Sequence, residues 1–447
     1  MQTVQLLSIR LENADQDYYR ELPFHVPEDV YKIDVRYSYP RFVVTPWGDG
    51  GERVEEINII DLALCAPHGE YLGCSGADRE HIVLGEDYSS PGYSTIRTAP
   101  GQWTIIVGGA RVCEKGVEVC YELTFTHRER VLLRGDLHTH TVGSDGYLTI
   151  DELAEQAVKN KLDYLFVTDH NNYDHNGYLR PRPDITLIPG TEWTHIKGHI
   201  GMLGRCRPFT GSFHANDLES VRRKVREAAE TGALTVINHP FAPGTSFRFG
   251  IENVNCDCLE LWNGPFTPFT QQCLNWWHQK LLAGARIPVV GGSDFHFEEP
   301  GRFVGSPCTW VYALSRTPTD ILNALRQGHC FLTSSPAGPT CDLRYGKGEM
   351  GDVVEIYPKT VAEIHMGELR AGDLVYIFHG SETETETIEI TEPLRLLRLE
   401  RTPEKCGFLR VELHRAYLEG DEPRPALISN PIYFNEALPG YDVMPAQ

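Results

Sequence analysis

What this chain lacks narrows its work first. No apolar stretch approaches the ~20 residues that span a bilayer, so no membrane partner is expected. The opening residues, Met1-Gln2-Thr3-Val4-Gln5-Leu6-Leu7, have no basic region followed by an apolar core and do not read as an export signal, so the expected location is cytoplasmic. Positive charge is scarce: 41 Lys+Arg stand against 62 Asp+Glu, for a net charge of -21. A nucleic-acid polymer or an anionic membrane calls for a basic footprint, and neither is expected as a partner. A small phosphorylated substrate held by metals is not excluded. Twelve cysteines in 447 residues do not make a disulfide framework. Cys113 and Cys120 flank a hairpin signal, and Cys256 and Cys258 share an apolar run, but neither pair has a zinc-finger partner pair. They read as core or surface thiols in a reducing compartment.

What is present is ordinary in bulk and unusual in detail. Hydrophobic residues are 41% and charged residues 23%, as in soluble globular proteins, and the length predicts two or three domains. Residues 1–130 predict a β-sandwich-like domain. Ile33, Val35, Tyr37 and Tyr39 alternate with Lys32, Asp34, Arg36 and Ser38, and Val117, Val119, Tyr121, Leu123 and Phe125 repeat the period of two between Gly/Pro-rich breaks. His68 and His81 are isolated there and suggest no chemistry. Residues 336–447 predict a second β-rich domain, with strands near 374–378, 394–399, 408–413 and 431–434. In 381–392, Glu382, Glu384 and Glu386 alternate with Thr383, Thr385 and Thr387, which predicts an exposed strand with one acidic face.

Between them, residues 131–335 alternate strands with helices. Thr149 and Glu152 form a capping-box signal for a helix to about Lys161, and further helices are predicted near 215–231, 271–283 and 319–327. The strands finish in polar motifs: Leu137-His138-Thr139-His140-Thr141 with Ser144-Asp145-Gly146, then Thr168-Asp169-His170-Asn171, Gly190-Thr191-Glu192, Asn238-His239-Pro240 and Gly292-Ser293-Asp294-Phe295-His296. Two histidines spaced i, i+2 on a strand share a face. Unpaired polar groups at strand ends cost free energy unless something binds them, and histidines with carboxylates in one mouth are the donor set of a multinuclear metal site.

This order of motifs resembles the PHP (polymerase and histidinol phosphatase) superfamily and is most similar to its CehA/McbA-like metallohydrolases, over about residues 131–335. The resemblance implies a distorted (β/α)7 barrel holding two or three divalent ions (Mn2+, Zn2+ or Fe2+). It implies one metal on His138, His140, Glu192 and Asp294. Glu192 would bridge to a second, completed by His239 and by a histidine just after Glu192. His195 and His199 both qualify, and the context Gly198-His199-Ile200-Gly201 favours His199. A third would be held by Asp145, His170 and His296, with Asp145 standing where some relatives have histidine. Asp169 is expected to support its neighbour His170.

The expected activity is hydrolysis of a small phosphate mono- or diester by a metal-bridging hydroxide, since a bound divalent ion lowers the pKa of its water towards about 7. Asp294 is expected to share the proton transfer, with Arg302 or Arg248 reaching an anionic substrate group. The resemblance also implies a carboxylic or carbamate ester hydrolase as the alternative. A metal-stabilised scaffold with working β domains is the reading from another class. The two β domains are expected to shape substrate access, pack on the barrel or build a homo-oligomer.

Overall fold

The computed structural model of the chain describes residues 1–48, 50–380, 385–418 and 420–435. Glu382, Thr383 and Glu384 of the acidic alternation lie outside them. The described chain divides into two compact units, one of Met1–Arg130 with Pro181–Pro183, the other of Val131–Arg180 and the chain from Asp184 on. In the first unit, two four-stranded antiparallel sheets enclose one core. Their orders are Gln2–Leu11, Val117–His127, Val30–Ser38, His81–Gly85 and Tyr19–Val26, Gly101–Arg111, Ile59–Cys65, Tyr71–Cys74. The alternation in the sequence explains this: Ile33, Val35 and Tyr37 face in, and so do Val119, Tyr121 and Leu123.

The second unit is built on a 15-stranded mixed sheet. Its first strands are β1 (Val131–Asp136), β2 (Tyr164–Val167), β3 (Thr186–His195), β4 (Gly198–Leu203), β5 (Leu234–Asn238), β6 (Cys258–Asn263), β7 (Val289–Gly292), β8 (Cys308–Ala313) and β9 (Cys330–Thr333). The spatial order is β7-β6-β5-β4-β3-β2-β1-β8-β9, and it continues into Arg424–Ser429, Gly407–Arg415, Leu374–His379 and Thr385–Glu389. Hydrogen bonding thus runs on past residue 335. Strands β1–β3 pair in parallel, as do β5–β7, whereas β4 is antiparallel to both its neighbours and β8 to β1.

The helices are α1 (Ile150–Lys159), α2 (Leu218–Glu230), α3 (Pro268–Leu282) and α4 (Pro318–Gln327), the four α-helices among the described residues. A regular strand–helix alternation is interrupted at β3–β4. The turn between His195 and Gly198 is far too short for the dozen or more residues of a parallel crossover, so the chain makes a hairpin there. Helix starts follow their caps. Asp217 accepts from Ser220 N, so α2 opens three residues later than the composition around Ala215 suggests. Thr267 with Pro268 at the first turn opens α3 before Gln271. Thr149 and Glu152 form the expected reciprocal box. None of these helices is long and apolar enough to cross a membrane.

Candidate metal centre

The polar motifs converge because of strand register. Thr139 and Phe295 form an isolated parallel bridge beyond the ends of β1 and β7. With side chains alternating, His138 and His140 then lie beside Asp294 and His296 on the opposite face. The rings of His140 and His296 stack with centroids 4.1 Å apart, and Asp294 Oδ1 sits 3.4 Å from His138 Nε2 and 3.1 Å from His140 Nε2. The approach depends on Gly292, since a Cβ there would collide with His138. A second bridge pairs His170 with Glu192 and carries β2's motif to β3.

Glu192 is the hub. It is 0% exposed, yet five histidine nitrogens surround its carboxylate. Oε1 lies 3.2 Å from His138 Nε2, 3.1 Å from His199 Nδ1 and 3.1 Å from His239 Nε2. Oε2 lies 2.8 Å from His170 Nδ1 and 3.5 Å from His140 Nε2. His239 and Asp294 take left-handed backbone angles, φ 28° and 53°, which residues with a Cβ adopt only under constraint, and such strain gathers at functional sites.

The donor atoms fit a bound cation better than they fit one another. Both nitrogens of His140, Nε2 of His138 and Oε2 of Glu192 are buried and make no hydrogen bond of good geometry, although partners stand nearby. Atoms aimed past one another at a common point leave this pattern, and without a ligand such burial is costly. Donor atoms fall within 4.8 Å of one another in four groups: His138–His140–Glu192, His170–Glu192–His199, His138–His239–Glu260 and His140–Asp145–His170–His296. In the protein alone, burial pushes the Glu192 carboxyl up, but His138, His170 and His199 together outweigh it and hold it well below the usual range. Burial disfavours a charged His138, and Glu192 and Glu260 overcome that to leave it well above its ordinary value. At His140, burial prevails and the shift is downward.

The group on Asp145 is the outer one. Asp145 Oδ1 is 3.3 Å from His296 Nε2 and Oδ2 is 3.7 Å from His170 Nε2, and the Asp145 side chain is 59% exposed. Its loop hangs on Asp169, a buried carboxylate that accepts from Thr141 N (2.8 Å), Thr141 Oγ1 (2.7 Å) and Ser144 Oγ (2.8 Å) and faces His175 Nδ1 at 2.8 Å. Asp169 therefore orients the Asp145 loop rather than His170, whose Nδ1 meets Thr194 Oγ1 at 2.6 Å.

Of the two rival histidines, His199 joins the cluster. His195 stacks instead on Trp193 and lies tilted against Phe249, with Nδ1 accepting from Lys197 N. Arg302 stands at the edge. Its Nη1 donates to Ser293 O (2.7 Å) and Asp294 O (2.9 Å), and its Nε to Glu299 (2.6 Å). Arg248 is not brought into the cluster, and its guanidinium donates to the Ile196 carbonyl.

Three supports escaped the sequence reading. Glu260 on β6 is 2% exposed, with Oε1 3.0 Å from His138 Nδ1 and Oε2 accepting from His239 N (2.9 Å) and Asn263 Nδ2 (3.2 Å). Asp136 accepts from Ser293 N (2.9 Å), Gly305 N (2.7 Å) and His138 N (3.2 Å), and burial still pushes its carboxyl up to about 6. His175 is the third. The available signal was a lone acid inside an apolar run, as in Cys258-Leu259-Glu260-Leu261-Trp262, where nothing but a buried partner justifies a charge.

No family model matches the chain. A probable phosphatase of Acetivibrio thermocellus is 29% identical, over 38% of this chain and 82% of its own length. The DNA polymerase/3'-5' exonuclease PolX of Bacillus subtilis is 44% identical over 41 residues, which are 9% of this chain and 7% of that protein. A solved two-domain protein of Bacteroides vulgatus, described as containing a predicted PHP-like metal-dependent phosphoesterase, aligns with TM-score 0.38 and 17% identity over 67% of this chain and 95% of its own. None of these similarities distinguishes the CehA/McbA subdivision. The chain is thus similar to a probable phosphatase over 82% of that protein's length, and its order of motifs resembles that of the PHP superfamily.

Proposed function

We propose that the chain is a metal-dependent hydrolase that cleaves a small phosphate mono- or diester. The observation that carries the reading is the set of buried, unbonded donor atoms around Glu192, which a cation would satisfy. The names of the relatives, a probable phosphatase above all, agree with it. The reading includes a distorted (β/α)7 barrel over 131–335, between β-rich domains of 1–130 and 336–447. It assigns His138, His140, Glu192 and Asp294 to one ion, Glu192, His199 and His239 to a second, and Asp145, His170 and His296 to a third.

Divalent ions held there supply Lewis-acid polarisation of the phosphoryl oxygens and acidify bound water. The protein's own groups do the rest. Glu192 and Asp294 bring negative charge that balances cations in a dry pocket. Asp294 faces the reacting centre and can hold a proton passing between water and leaving group. Glu260 and Thr194 hold the rings of His138 and His170 through the nitrogens they meet. Arg302, pinned by two main-chain carbonyls, presents a fixed cationic edge, whereas Arg248 has no such station.

The test is metal content by plasma mass spectrometry on the wild type and His138→Ala, with hydrolysis of chromogenic phosphate monoesters, diesters and carboxylic esters. Two or three ions per chain, lost in the variant together with phosphoesterase turnover, are expected. Turnover confined to carboxylic esters would replace this reading with the ester hydrolase. A wild type that stays inert after manganese, zinc and iron are supplied would leave only a scaffold.

A further inference from the structure

A cavity of about 350 Å³ opens between two strand-end loops, and it shares His239 and Glu260 with the metal centre. That size is at the low end for organic ligands. One wall is the loop after β5, with Pro240, Phe241, Ala242 and Pro243. The other is the loop from β6 into α3, with Pro265, Pro268 and Phe269, and Leu261 and Cys273 form the floor. Proline fixes φ, so four prolines make walls that need little ordering when a ligand enters. Phe269 lies at the rim, 42% exposed.

Most of the polar atoms that reach this cavity are already engaged. Glu260 Oε1 faces His138 and its Oε2 accepts from His239 N and Asn263. The hydroxyls of Thr267 and Thr270 face each other at 3.3 Å in the cap of α3. Arg302 spends Nη1 and Nε on Ser293, Asp294 and Glu299. A sugar or another polyhydroxylated group would lose its water here and find few replacements, which costs free energy for every hydroxyl. A flat apolar group loses nothing and meets aromatic and proline faces.

We propose that this cavity receives the flat apolar group, such as an aryl ring, of a phosphate ester whose phosphoryl end lies at the His239 side. The inference rests on the phosphoesterase reading and narrows its substrate class from any small phosphate ester to aryl-type esters over sugar phosphates.

Calorimetry on the metal-loaded full chain tests it with methylphosphonate, phenylphosphonate and benzyl alcohol, in wild type, Ala242→Trp and Phe269→Ala. Phenylphosphonate should bind at least about tenfold tighter than methylphosphonate, the return for burying a phenyl-sized apolar surface. Ala242→Trp fills the cavity and should erase that advantage while methylphosphonate binds as before. Phe269→Ala, at an exposed rim position, should weaken phenylphosphonate severalfold and methylphosphonate not at all. It decides the matter if the tryptophan variant binds neither. Equal affinities in the wild type, or an aryl advantage untouched by the deciding variant, would overturn the proposal and leave the phosphoesterase reading standing. Failure of both phosphonates would remove that reading instead. Benzyl alcohol then decides the cavity: binding lost in the variants supports it, and no binding overturns it.

Discussion

The inner and outer halves of the candidate metal centre use the same side-chain types in opposite environments. Glu192, at the centre of the inner half, is 0% exposed, and the side chains of His138 and His140 are 3% and 0% exposed. In the outer half, Asp145 is 59% exposed and His170 and His296 are 24% and 23% exposed. Burial strengthens each electrostatic interaction and makes an unpaired donor costly, so the inner groups are bound to act as a unit. The outer carboxylate sits in water and can exchange its partner for solvent. An ion should therefore be held tightly inside and loosely outside, and the outer position is the one open to a substrate.

The hardest blow to that contrast is Glu192→Ala. It removes the carboxylate on which five histidines converge, and metal content should collapse with hydrolysis falling by about a thousandfold or more, as when one member of a cooperating set is deleted. Retention of a full metal complement would break the picture of a hub. Next is Glu260→Gln, which leaves His138 without its carboxylate. Metal affinity measured by competition with a chelator should fall about 10–100-fold, the usual cost of losing a group that orients a ligand. Glu260→Asp should recover part of it. An unchanged affinity would reduce Glu260 to packing.

Asp145→Asn sharpens the contrast from the other side. One ion equivalent should be lost while the inner ions stay, and chelation of the wild type should release metal in two phases, the outer first. A single phase would abolish the distinction.

The smallest effect serves as a control away from the centre. Burial and then the neighbouring Arg410 push His278 down to about 4 from 6.5, and its Nδ1 lies 3.0 Å from Arg410 Nη2. Because its folded pKa is the lower one, the unfolded chain binds more protons between those values. The stability it contributes is complete above about pH 6.5 and fades as pH falls towards about 4. Thermal melts across that window should show a decline that His278→Gln flattens, and an equally steep decline in the variant would remove the assignment.

Much of the candidate centre was legible because a metal-binding reading looks for particular atoms. His138, His140, His170, His239, Asp294 and His296 stand out as polar ends of apolar strands, and β-strand period places i and i+2 together. Glu260, Asp136 and His175 were not legible, because a residue that acts through another carries no spacing of its own. Glu260 lies 122 residues from His138, and nothing local couples them. The rivalry of His195 and His199 was open for a related reason. Both follow Glu192 closely, and only the β3–β4 hairpin decides that His199 turns back to Glu192 while His195 turns to Trp193. The antiparallel direction of β4 was not legible either, since a buried strand reads the same whichever way it runs.

By itself, then, the sequence marked which groups could carry chemistry, that apolar strands end in them, and that acidic residues outnumber basic ones. These follow from composition and from short-range period. The tertiary structure alone decided which of these groups meet, which half of the centre is dry, and that an apolar cavity adjoins His239. Distance, burial and dielectric are properties of the packed chain, and they arise when strands far apart in sequence pair in one register.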